Sequence, residues 1–372
     1  MMKALCLSLV LSFVLINAFG QERHYFDISE KEDAYHKINL YETKIIHEAD
    51  LTFEIQSLTL LQSRRGYRVN TIRKVRMSDA LIYVTDISNT NLFIYDLQGK
   101  AQNKIDITRY DERAWITDFT VYKDTIYIVD NKSLFLFKFT AQGDFLSKEL
   151  LTFNFDDFMV NTEGLHFICK HETGRRNNTV RINVFDHSLN LLKQYFLISR
   201  TNDSIFRPRF FLGNDDEVLF SVYLNNEVFN ISSNTVSKFL KIENAKVIYD
   251  YAHVNGFHSF RVSYENKIPG VPLRTCYVKN ATAENVRFEK FRSDDLTSFI
   301  FNGMDSGIHQ DKFVSYLDFN SPNFLRAIPD MKWSAEHESI KKDFFQIVNQ
   351  IKKHPHHVVV LFRIVQSHSN PN

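Results

Sequence analysis

Six arginines fall in three close pairs along this chain: Arg109 with Arg113, Arg175 with Arg176, and Arg207 with Arg209. A guanidinium is planar, permanently charged and able to grip a carboxylate or sulfate through two parallel N–H donors. Tyr223, Tyr264 and Lys267 add hydroxyls, aromatic faces and a further cation, and Asp86 and Asp130 supply acids. Six arginines gathered on one rim would give a local anion-attracting surface. The competing reading of each is an ordinary solvated loop residue, because charged side chains populate loops on any fold.

Signals for catalysis are weaker. No nucleophile elbow, phosphate-binding glycine loop, zinc-protease helix or Walker motif occurs. His354, His356 and His357 have a metal-like spacing, but Pro355 between them marks a connection in which solvated histidines are the simpler account. His166 and His171 straddle a strand and its corner, where satisfied or exposed side chains are expected. Asp156-Asp157 and Asp215-Asp216 look like paired acids and are read as turn residues. No catalytic residue, metal ligand or cofactor is assigned, and the balance leans away from an enzyme.

The first twenty residues read as an export signal: Lys3, an apolar core through Ala18 too short for a stable membrane span, and small residues at Ala18 and Gly20. The expected mature chain starts at Gln21, with no transmembrane segment. Loss of Lys3 leaves 44 of the 45 basic residues against 44 acids. Zero formal charge gives no general attraction to nucleic acid. Cys169 and Cys276 would then be the remaining cysteines, expected as buried, unbonded thiols in different repeats. Asn-x-Ser/Thr triplets at Asn177, Asn202, Asn230 and Asn280, and the short Asp124-Thr125-Ile126 and Asp203-Ser204-Ile205 patterns, are common enough to arise by chance.

The elements that must position these groups announce themselves by repetition. ALIYVTDISNTNLFIYDLQGK (80–100) and DTIYIVDNKSLFLFKFTAQGD (124–144) share an order of strand, polar corner, strand and glycine turn. With 34 Phe and 16 Tyr, the chain is rich in β-forming bulk. A period of roughly 40 to 50 residues built from short strands is the pattern of blades around an axis. The first unit reads as strands at 71–77, 81–85, 92–95 and 104–107, and the second as 115–122, 125–129, 134–139 and 145–151. Units three to five follow through GLHFICK and VRINVFD, EVLFSVYL and VFNIS, then FHSFRVSY, RTCYVKN and VRFEKF. The sixth has inner strands near 298–302 and at KFVSYLDF, an amphipathic helix over 336–353, and a last strand from His357 to Val365. That last strand lacks a following partner, so LTFEIQSLTLL (51–61) is expected to pair with it and close the ring. Residues 21–48 lack alternation and read as a dispensable lead-in arm.

IYVTD followed by FIYDLQGK, IYIVD followed by FKFTAQGDF, and a terminal helix followed by a V/L-rich strand together resemble six-bladed β-propeller proteins exported by Bacteroidetes-type bacteria, which look like NHL-repeat propellers. The likeness spans about residues 50–366 and departs from the family at His354-Pro355-His356-His357, where Asn-Pro is usual. It implies an all-β six-bladed propeller over 49–366, a tail at 367–372, an exported location in the periplasm or at the surface, and a generic binding role. In such a ring the loops approaching each inner strand and the corners between second and third strands share one face. Arg109, Arg113, Arg175, Arg176, Arg207, Arg209, Tyr223, Tyr264 and Lys267 are thus expected to surround one channel mouth, holding an anionic saccharide, a peptide or a partner protein. A propeller-type lyase or hydrolase and a structural part of an envelope assembly are the alternatives.

Overall fold

The computed structural model describes residues 22–27, 36–39, 44–45, 51–62, 66–173, 178–199, 209–213, 217–221, 226–232, 234–243, 245–254, 256–264, 274–280, 285–289, 307–319, 328, 338–351 and 357–366. The expected signal, the strand near 298–302 and the tail lie outside the described residues.

Four strands come first: β1 (Glu22–Asp27), β2 (His36–Asn39), β3 (Lys44–Ile45) and β4 (Leu51–Leu60). Blade one follows as β5 (Ile72–Met77), β6 (Leu81–Asp86), β7 (Asn91–Asp96) and β8 (Ala101–Asp106). Blade two is β9 (Asp118–Tyr122), β10 (Thr125–Asp130), β11 (Phe135–Thr140) and β12 (Phe145–Leu150). Blade three is β13 (Phe155–Val160), β14 (Leu165–Thr173), β15 (Asn178–Phe185) and β16 (Leu191–Ser199). Blade four is β17 (Arg209–Phe210), β18 (Val218–Ser221), β19 (Glu227–Ser232) and β20 (Thr235–Glu243). Blade five is β21 (Ala245–Val254), β22 (Phe257–Tyr264), β23 (Arg274–Asn280) and β24 (Asn285–Glu289). Blade six holds β25 (Gly307–His309), β26 (Lys312–Asp318), the helix α1 (Glu338–Ile351) and β27 (His357–Gln366).

The second and third strands of a blade are buried on both faces, which is why LIYVTD and NLFIYD run as continuous apolar stretches instead of alternating. Their side chains fill six clusters, each shared by two neighbouring blades. Tyr83 and Ile94 meet Phe119 and Phe137 between blades one and two. Leu136 meets Phe167 between two and three, Ile182 meets Phe229 between three and four, and Leu240 meets Phe260 between four and five. Val254 and Phe257 meet Phe313 and Val358 between five and six, with Phe344 of α1 packed on the same cluster. Val314 and Val359 of blade six then meet Val75 and Ile82 of blade one. Six interfaces for six sheets make a closed ring.

Within each blade the described pairings are antiparallel. At the ends of the chain β4 lies antiparallel on β27, with Leu60 opposite Val358 and Glu54 opposite Arg363. The stretch read as a lead-in arm contains three edge strands. β1 runs parallel to β16, β2 to β20 and β3 to β24, so successive segments add a fifth strand to blades three, four and five. Their sequences, ERHYFD and HKIN, show no clean alternation because a strand on the outer rim meets apolar neighbours along little of its surface.

Two strand boundaries move for identifiable reasons. Ile107 leaves β8 for a 3-10 turn (Ile107–Arg109), because the Asp106 carboxylate accepts from Thr108 N at 3.2 Å. Trp115 precedes β9, its N–H donating to Asp130 Oδ2 at 3.0 Å.

Candidate functional site at the channel and its rim

The inner strands carry a pattern that composition hides. In β5, Ile72 pairs with Asp86, then the register shifts so that Lys74 faces Thr85 and Val75 faces Val84. In β13, Phe155 pairs with Cys169, then Asp157 faces Ile168 and Phe158 faces Phe167. In β21, Ile248 pairs with Val262, then Asp250 faces Arg261 and Tyr251 faces Phe260. Each shift is a β-bulge, one extra residue that bends the strand and re-aims its side chains. Unbulged β9 and β17 reach the same level with Asp118 opposite Val129 and Arg209 opposite Ser221. Lys74, Asp118, Asp157, Arg209 and Asp250 thus share one level on five successive inner strands.

The apolar residues after the first three, Val75, Phe119 and Phe158, belong to the cluster shared with the preceding blade. Alternation therefore turns Lys74 and Asp157 toward the following blade. Lys74 Nζ donates to Asp118 Oδ1, with both side chains about one-fifth exposed. Asp157 Oδ2 accepts from Phe210 N at 2.8 Å, and its Oδ1 from Phe158 N at 2.9 Å. Arg73, the bulged residue of β5, donates to Asn89 Oδ1, to Ile116 O at 2.8 Å and to Thr117 O at 2.7 Å. These side chains latch blade one to two and blade three to four beside the channel.

Burial pushes the Lys74 ammonium down to about 8, with Arg76 acting the same way and Asp118 opposing. Burial, and then the Asp118 charge, lift Asp157 to about 6. Burial also lowers Arg76, whose guanidinium lies where a side chain at Gly307 would meet it at 2.9 Å. Both Asp157 oxygens take backbone N–H donors and Asp118 takes Lys74, so the pair is occupied in holding blades together. This use corrects the reading of Asp156-Asp157 as turn residues: both lie on β13, and consecutive acids fit there because the bulge lets each adopt its own direction.

Of the arginines singled out from the sequence, Arg109, Arg113 and Arg209 lie within the described residues. Arg109 ends the 3-10 turn with its side chain 73% exposed, 3.9 Å from Asp106. Arg113 is exposed in the same connection between blades one and two, and Arg209 is exposed at the start of β17. Arg175, Arg176, Arg207, Tyr223 and Lys267 lie outside the described residues, and Tyr264 closes β22 without a described side chain.

The acids expected beside them have other duties. Asp86 is buried, accepting from Ser88 N at 3.1 Å and from the Ser88 hydroxyl. Asp130 is buried, accepting from Trp115 N, from Lys132 N at 2.8 Å and from Ser133 N at 3.2 Å. Asp111 takes Lys148 Nζ at 2.7 Å and Arg113 N at 3.0 Å. Glu112 stays exposed between them, and Lys132 lies 3.9 Å over the Trp115 ring.

His166 is fully buried, 2.9 Å from Asn161 Oδ1, and burial holds it down at about 4. His357 is not a solvated loop residue: it opens β27, buried, with Nε2 2.9 Å from Asn70 O and Nδ1 3.4 Å from Asp318. A histidine suits this seam because one small ring reaches both blade one's approach and blade six. His171, His354, His356 and Asp215-Asp216 have no described side chains. Cys169 is a buried free thiol on β14 of blade three, while Cys276 lies on β23 of blade five. Among the described residues, no group of three or more His, Cys, Asp or Glu could hold a metal ion, and no helix is long and apolar enough to cross a membrane.

The inner-strand level left a signal that the sequence reading missed. A charged residue directly before a core residue recurs as Lys74-Val75, Asp118-Phe119, Asp157-Phe158, Arg209-Phe210 and Asp250-Tyr251, at intervals of roughly 40 to 50 residues.

Ring closure, blade count and inner-strand level define a six-bladed β-propeller. The chain belongs to the DUF5128 family, a 6-bladed beta-propeller family whose model matches residues 28–254. No curated protein matches it. Among solved structures it is similar to a protein of Bacteroides fragilis NCTC 9343 whose name marks it as exported: TM-score 0.61, 11% identity, covering 89% of this chain and 100% of that one. A DUF4221 family member from Bacteroides vulgatus ATCC 8482 matches at TM-score 0.48 and 7% identity, covering 86% of this chain and 100% of that one. At these identities the likeness is one of fold.

Proposed function

We propose that the protein is an exported binding module that holds an anionic ligand, a saccharide or peptide bearing carboxylate or sulfate, on the face formed by the inner-strand approaches and second corners. The observation that carries this reading is an imbalance of availability. Asp86, Asp130 and Asp111 on that face are spent on backbone N–H groups and Lys148, whereas the Arg109 and Arg113 side chains remain exposed, with exposed Glu112 beside them. Arg175, Arg176, Arg207, Tyr223, Tyr264 and Lys267 belong to the same proposed surface by their place in blade order. The export signal read from residues 1–20, together with the likeness to an exported protein of Bacteroides fragilis, supports a location outside the cytoplasm.

Titration calorimetry with a sulfated oligosaccharide at low salt tests this. Each desolvated guanidinium contact contributes on the order of 1.5 to 3 kcal/mol, so Arg113→Ala and Arg209→Ala should each weaken binding roughly tenfold or more. Arg23→Ala, exposed on the outer rim at β1, is the control. Equal losses at Arg23 and at the rim would overturn the assignment.

A further inference from the structure

Blades three, four and five each carry a fifth strand; among the described residues no strand pairs with the outer side of β8, of β12 or of β4, the fourth strand of blade six. The edges of β8 and β12 differ in chemistry. β8 buries its apolar Ala101 and Ile105 and exposes Gln102. β12 exposes Phe145 (43%), Leu146 (53%) and Leu150 (62%). Native edges are usually blunted by outward charge or proline. The charges of β12 do not serve that purpose, since Lys148 pairs with Asp111 at 2.7 Å and lies 3.9 Å over Phe135. Glu149 likewise pairs with Lys138 at 2.9 Å and accepts from Ser147 at 2.8 Å. Both charges are satisfied by groups of this chain, leaving an apolar edge with its backbone row unpaired.

We infer that β12 is a docking edge for an extended segment of a partner protein, lying parallel to β12 with apolar or aromatic side chains at alternate positions. The molecule already uses this mode three times, in β1 on β16, β2 on β20 and β3 on β24, all parallel. The side-chain contacts of that mode are visible too: Tyr25 stacks on Phe196 at 4.8 Å and His24 on Tyr195 at 5.4 Å, while Ile38 is buried in the cluster between blades four and five. β12 is the fourth strand of its blade, as β16 is of the next, so it offers the same row of donors and acceptors. Strand addition of this type takes affinity from the backbone and specificity from alternate side chains. A second copy of the chain fits less well. Two-fold pairing of β12 with itself must be antiparallel, whereas every edge strand that this molecule adds to a fourth strand runs parallel.

The probe is a fluorescein-labelled peptide of residues 21–28, QERHYFDI, whose own seat on β16 is filled within the chain. Fluorescence anisotropy should show saturable binding to the full chain and to a Gln102→Lys control on β8. The Leu146→Lys, Leu150→Lys double variant should bind at least tenfold more weakly with an unchanged melting temperature. Hydrogen exchange on the wild type should show new protection at 145–150, a readout that needs no variant. The inference is overturned if the wild type does not bind the peptide, if the double variant binds equally, or if the new protection falls on 191–199. A dimer of the wild type that the double variant abolishes, seen by sedimentation, would also overturn it in favour of self-pairing.

Discussion

Asp157 carries a charge whose cost depends on its neighbours, and that makes it readable. Its carboxyl stands at about 6 instead of the ordinary 3.8, raised by burial and by Asp118. An acid raised on folding contributes stability that is complete below its unfolded value and disappears as pH climbs through the folded one. The Asp157 contribution should therefore fade between about pH 4 and pH 6. Lys74, lowered from 10.5 to about 8, runs the other way: its contribution is present above 10.5 and lost as pH falls through about 8. Carboxyl NMR should give Asp157 a midpoint near 6, moving down in Asp118→Asn as the neighbouring charge is removed. Urea unfolding of Asp157→Asn should show a flatter pH dependence from 4 to 6 than the wild type. A midpoint near 4 in the wild type would mean that the carboxyl is better solvated than its burial implies.

At the scale of elements, the turn between β7 and β8 shows why the repeat ends in glycine. Gly99 has φ +78, and a Cβ there would lie 1.9 Å from Leu60 O, while its own carbonyl accepts from Gln62 N at 2.8 Å. The turn is pressed against the backbone that leaves β4, joining blade one to blade six. Gly66 has a similar φ of +83 with nothing within 4 Å of a built Cβ. Gly66→Ala should thus cost only the left-handed backbone penalty, about 1–2 kcal/mol. Gly99→Ala should cost at least twice as much, because backbone must move, and denaturant midpoints of the two variants measure the difference. The glycine turns and double-sided apolar runs made blades one and two legible in the sequence to within three residues at each strand end. RTCYVKN and FHSFRVSY were equally plain, and both occur as strands with those bounds. What escaped were inner strands such as FDDFMV, where a bulge breaks alternation and two acids imitate a turn. The site suffered most: Arg73, Lys74 and Asp118 act by reaching across to the next blade, a relation that no local pattern encodes.

The whole ring depends on strands borrowed from the first residues of the chain. Removing residues 21–45, expected from sequence to be tolerated, takes away β1, β2 and β3 and bares β16, β20 and β24 together. That deletion should lower the melting temperature and raise light scattering, since three unpaired edges are exposed at once. Extending the deletion through 62 also removes β4 from β27 and opens the ring, so its loss should be larger. Equal melting temperatures for the intact chain and the shorter deletion would reduce the belt to decoration.

Strands that are made first yet seated last also set a timetable. β1 to β4 leave the ribosome before any of their seats exist, and the seat of β4 is complete only when Gln366 has emerged. Until Ser199 has emerged, the leading segment, with His24, Tyr25 and Phe26 among its side chains, has no sheet to join. Such a segment is open to holding factors and prone to wrong pairings while it waits. The molecule is fastened like a strap whose buckle is fitted at the end: the ring locks only when the last strand meets the fourth.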